Sequence, residues 1–152
     1  MATSAQRVHK PRIHNNQENK FEGTINNIQF KANNFRLINN DFPGEIGPHW
    51  EARVHQRAVN FTYKEVSIYI PIAAADGEHA LDSTTKIVVS YVDYSDPQNP
   101  VAHKSVAGDI KFTLDKENKV FGGSLNAVMD SYEGDGSETF TIAVENFLIL
   151  GK

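Results

Sequence analysis

The sequence predicts an all-β fold, an antiparallel two-sheet β-sandwich of about eight or nine strands, on three observations. Apolar residues alternate through Ile110, Phe112, Leu114, then Phe121, Gly123, Leu125, Ala127, Met129, then Phe140, Ile142, Val144. That period of two belongs to strands with one buried face. Turn-forming clusters recur roughly every ten residues, with no helical period between them. Hydrophobic residues make up 39% of the 152 and charged ones 22%, which suits one domain with a sizeable core.

The elements follow in order. Residues 1–20 form a polar N-terminal arm whose only large aliphatic side chains are Val8 and Ile13. Arg7, Lys10, Arg12 and Lys20 outweigh Glu18, so the arm is basic on a chain of net charge -4. Residues 21–152 are expected to form a single β domain. Phe21, Gly23 and Ile25 alternate, Asn26-Asn27 interrupts, and Ile28 and Phe30 resume. Asparagine tolerates positive φ, so a two-residue hairpin fits the interruption. The pairs Asn33-Asn34 and Asn39-Asn40 read as further turns around residues 35–38.

Residues 41–49 carry prolines and glycines and read as a loop. Trp50, Ala52 and Val54 then alternate against Glu51, Arg53 and His55; Val59, Phe61 and Tyr63 extend the pattern. Val66, Ile68, Ile70 and Ile72 continue it, with Pro71 marking an edge or a strand end. Residues 73–79 read as a turn or one short helical turn. Residues 86–94 are the strongest β-branched run and predict a central strand. A long proline-containing loop at 95–105 precedes three C-terminal strands joined at 115–119 and 130–137. The alternation slips at Glu145-Asn146, as a bulge would make it. Gly122-Gly123 inside a strand pattern marks a bulge or the close approach of another strand.

Composition narrows the function. A net negative chain lacks the basic surface that nucleic acid requires. The longest mostly apolar run, residues 66–75, falls far short of the ~20 residues of a membrane-spanning helix. No cysteine is present, so disulfides, thiolate metal sites and cysteine nucleophiles are ruled out. The first 21 residues lack the apolar core of a secretory signal, so the expectation is a cytoplasmic chain, one exported by a non-classical route, or an already processed form, and the localisation stays open. The six histidines show no metal-ligand spacing and read as solvated, so no cofactor is expected. Nucleophile elbows and phosphate-binding glycine loops are missing, and the chain reads as non-catalytic.

Two groups of side chains remain as candidates. Asp130, Glu133, Asp135 and Glu138, with Gly134 and Gly136 between them, have the oxygen ligands and the pliant backbone of a calcium loop. A solvated turn is the more ordinary state of such a segment. Tyr69, Tyr94 and Tyr132 have phases that expose them for a sugar or a protein partner, whereas Trp50 shares the phase of Ala52 and Val54 and reads as core.

The segments Gly108 to Asp115, Val120 to Leu125 and Thr139 to Phe147 resemble the closing strands of small uncharacterised bacterial β-sandwich domains. The likeness implies a fold and no activity. The expected function is therefore contact. A self-associating structural subunit or partner-binding module would use Arg7, Lys10 and Arg12 on the acidic surface of a neighbour, giving a homo-oligomer or a protein complex. The alternative is a lectin-like carbohydrate-binding module, assisted by calcium at the acidic loop.

Overall fold

The computed structural model describes residues 17–41, 47–131 and 139–151. Every regular element among them is a strand: β1 (Glu22–Ile25), β2 (Ile28–Lys31), β3 (Asn34–Asp41), β4 (Pro48–Arg57), β5 (Tyr63–Pro71), β6 (Gly77–Ala80), β7 (Val88–Asp93), β8 (Val101–Asp115), β9 (Val120–Ser131) and β10 (Phe140–Leu150). The all-β expectation holds. All pairings are antiparallel, and hydrogen bonds link the strands into one sheet of order β2-β1-β10-β9-β8-β7-β5-β4-β3, with β6 added beside β8.

One short connection gives the sheet its shape. β2 and β3 lie at opposite ends of the strand order, yet only Ala32 and Asn33 separate them in the chain. Two linking residues span at most about 11 Å between the flanking Cα atoms. The sheet must therefore curl until its end strands meet at that corner, and it forms a half-barrel. The 15-residue β8 serves both parts: residues 101–104 pair with β7, residues 109–112 pair with β6, and β9 runs along its other side. A single continuous sheet thus stands where two separate ones were expected. Alternation reports which face is buried but not which strand lies alongside.

The concave face holds the core. Trp50, Ala52 and Val54 of β4 meet Val66, Ile68 and Ile70 of β5, with Ile110 and Phe112 of β8, Leu125 and Ala127 of β9 and Ile142 of β10. Phe21, Phe147, Phe121 and Phe112 form a chain of rings with successive centroids 5.6, 5.1 and 5.7 Å apart. Each buried phenyl stabilises the fold by about 1.5–3 kcal/mol.

Local signals account for most turns. Asn26 and Asn27 take φ of 54° and 66°, the two-residue hairpin that their amides suit. The register shifts between Val144 and Phe147, where the bulge was expected. Gly123 has a φ of 155°, and a Cβ there would collide with the Lys111 carbonyl, so β8 and β9 approach through a position only glycine can fill.

Several expectations fail for physical reasons. Asn39-Asn40 lies inside β3 rather than in a turn, because pairing with Trp50 and His49 holds it extended. Val59 and Phe61 leave the strand pattern and sit in the β4–β5 turn. Residues 101–105 belong to β8, so that loop is shorter than its composition suggests.

Candidate functional site

The convex face of β3, β4, β5 and β7 carries a polar and aromatic surface that the core does not use. Residues that alternate with Trp50, Ala52 and Val54 are His49, Glu51, Arg53, His55 and Arg57; on β5 their counterparts are Tyr63, Glu65, Ser67 and Tyr69. Register places Glu51 opposite Tyr69, Arg53 opposite Ser67, His55 opposite Glu65 and Arg57 opposite Tyr63. Asn40 of β3 faces His49.

These side chains interlock. The Glu51 carboxylate accepts a hydrogen bond from Asn40 Nδ2 at 2.9 Å and pairs with the Arg53 guanidinium. Arg53 Nε lies 3.9 Å from Glu65 Oε2. Glu65 Oε1 lies 2.9 Å from His55 Nε2, and Ser67 Oγ donates to Glu65 Oε2 at 3.4 Å. Glu51 is only 2% exposed. A carboxylate buried to that degree is tolerated because an amide and a guanidinium satisfy it. Burial pulls the Arg53 pKa down, but the charges and hydrogen bond of Glu51, with Glu65 behind, outweigh it and hold the guanidinium above its ordinary value.

Aromatic rings continue the surface toward the β4–β5 turn. Tyr63 and Tyr94 stack with centroids 4.4 Å apart at 24°, and the Tyr94 N–H donates to the Tyr63 carbonyl at 2.8 Å. The Arg57 guanidinium lies 5.3 Å from the Tyr63 ring, and His55 meets it edge-on at 5.2 Å. Burial first, then the charge of Glu65, pushes the Tyr94 phenol above its usual pKa. Tyr69 packs edge-on to His49 at 5.5 Å.

The turn is closed by its own hydrogen bonds and carries two apolar side chains. Ala58 N–H donates to the Thr62 carbonyl at 2.9 Å and Phe61 N–H to the Ala58 carbonyl at 3.1 Å, while Asn60 Oδ1 accepts from Thr62 Oγ1 at 2.7 Å. These bonds hold Val59 99% exposed and Phe61 89% exposed. Phe61 also adopts a φ of 71°, a region that bulky L-residues avoid.

Of the sequence-predicted residues, Tyr69 and Tyr94 both lie on this surface, half-buried rather than fully exposed, because His49 and Tyr63 pack against them. Asp130 is a buried residue of β9 whose Oδ1 accepts the Ser131 N–H at 2.7 Å. Arg7, Lys10, Arg12, Tyr132, Glu133, Asp135 and Glu138 lie outside the described residues. Among the described residues, no three histidines or carboxylates form a metal-binding group. His49 is buried, not solvated as expected, with Nδ1 donating to the Gly47 carbonyl at 2.8 Å.

Sequence reasoning missed Glu51, Arg53, His55, Glu65, Val59 and Phe61. The first four were signalled by their common phase, since polar residues at 51, 53, 55 and 63, 65, 67 must share one face of two neighbouring strands. Comparison with protein-family models, curated proteins and solved structures found no match.

Proposed function

We infer that this protein is a non-catalytic β module that works by contact, its curled sheet acting as a sandwich-like frame for one binding surface. That surface runs from the β4–β5 turn across the Tyr63–Tyr94 stack to the Glu51–Arg53–Glu65 network. The observation that carries this reading is the pair Val59 and Phe61, almost wholly exposed on a hydrogen-bonded turn, with Phe61 in a strained backbone conformation. Strain held beside a rigid surface is a mark of a functional position.

The chemistry of the surface suits a protein. Two apolar side chains project as anchors, each stabilising a contact by about 1.5–3 kcal/mol if fully covered. The aromatic stack and ion pairs behind them are already ordered, so little entropy is lost on docking. Arg57, Tyr63 and Tyr94 have the residue types that dominate binding hot spots. A second copy of the chain is the simplest partner, consistent with a self-associating subunit.

Light scattering across a dilution series tests this reading, using the full chain and a Val59→Ser/Phe61→Ser variant. Concentration-dependent association that the variant lacks supports the contact surface. Equal masses for both proteins at every concentration would remove self-association through this turn.

A further inference from the structure

A second site lies on the opposite face of the sheet, at the open end of its concave side. A half-open cavity of about 230 Å³ lies between the β1–β2 hairpin and the ends of β5, β7, β8 and β10. Its floor is a packed aromatic cluster in which Tyr91 is buried and Phe140 half-buried. Tyr91 and His103 stack with centroids 6.0 Å apart, and Phe140 stands edge-on to both, at 5.7 and 4.7 Å. One wall is polar, with Lys64, Asp93 and Gln29 lining the same space.

The arrangement restricts what the cavity can hold. Lys64 and Asp93 face each other in register across β5 and β7, so one positive and one negative charge sit together and neither sign dominates. Among the described residues they form no ion pair, and both line the cavity. Gln29 adds an amide that both donates and accepts. A volume below the roughly 300–1,000 Å³ of drug-sized pockets fits a single ring rather than an oligomer.

We propose that this cavity binds one neutral, hydroxyl-rich ring, a single pyranose unit of a glycan, its apolar face on the half-buried Phe140 and its hydroxyls on Lys64, Gln29 and Asp93, whose Oδ1 already accepts from Ser95 and leaves Oδ2 for the ligand. Each hydroxyl both donates and accepts, which matches a mixed wall of carboxylate, ammonium and amide. A simple anion would meet Asp93, and a simple cation would meet Lys64. The geometry does not depend on the contact surface of the convex face, so the two readings stand or fall separately.

The test is NMR titration of the full chain with the methyl pyranosides of glucose, galactose, mannose and N-acetylglucosamine, and with acetate and glycine in parallel. At least one pyranoside saturably shifts the Tyr91, His103 and Phe140 ring signals, with a Kd of about 1 mM, as expected for a ligand of roughly a dozen heavy atoms. Asp93→Asn and Gln29→Ala each weaken that binding at least about tenfold while keeping the dispersed spectrum of the folded protein. Val59→Ser/Phe61→Ser binds the sugar as the wild type does. Ring signals that no pyranoside moves, or that saturate with acetate or glycine instead, overturn the proposal.

Discussion

Glu51 and Arg53, two residues apart on β4, form an ion pair on the face of the sheet turned away from the core, and the carboxylate is almost completely buried. The pair organises the convex surface, since Asn40, Glu65 and, through Glu65, His55 all attach to it.

Arg53→Met should destabilise the fold by about 2–3 kcal/mol, because it strands a buried carboxylate without its main partner. The double variant Glu51→Gln/Arg53→Met should recover much of that loss, as neither charge is then buried. Urea denaturation of the three proteins checks both outcomes.

Gly123→Ala should cost about 3 kcal/mol or more, since the added methyl meets the Lys111 carbonyl and the backbone is in a region closed to alanine. Gly77→Ala is the useful comparison. Its φ of 130° is equally unfavourable, but nothing lies within 4 Å of the added Cβ. The difference between their thermal midpoints isolates the steric part.

Acid stability should depend on two turn carboxylates. Hydrogen bonds from the Thr84 side chain and backbone lower the Asp82 pKa below 3.8, and bonds from the Asn118 backbone and side chain do the same for Asp115. A depressed folded-state pKa gives stability that is present above the unfolded value and is lost as pH falls through the folded one. Asp82→Asn and Asp115→Asn should each flatten the acid limb of a stability–pH curve and leave its neutral region less changed in slope.

Tyr91 governs the opposite limb. Burial, followed by the charge of Asp93, pushes its phenol above the ordinary value of 10.0. Its contribution is fully present below that value and declines as pH rises toward the folded-state pKa. Tyr91→Phe should lose stability less steeply than the wild type in alkaline denaturation.

Much of this architecture is legible in the sequence because it rests on local rules. Alternation marks β4, β5 and the three C-terminal strands, Asn26-Asn27 announces its hairpin, and the slip at Glu145-Asn146 announces the bulge. What escapes is long-range. Nothing local says that the ends of a nine-strand order are joined through Ala32 and Asn33, so a half-barrel reads as two sheets. Val59 and Phe61 keep the phase of a strand while the Asn60 hydrogen bonds turn the chain. Of the candidate surface, Tyr69 and Tyr94 could be named from the sequence, but the network between them required knowing that Glu51 and Tyr69 are cross-strand neighbours.

The most direct test of the contact surface is Phe61→Gly, followed by light scattering and thermal denaturation of the same samples. Glycine relieves a left-handed conformation that costs an L-residue about 1–2 kcal/mol, while removing the exposed ring. The account predicts a protein that is more stable as a monomer, or nearly as stable, yet dissociates at concentrations where the wild type associates. A variant that associates as strongly as the wild type would contradict it.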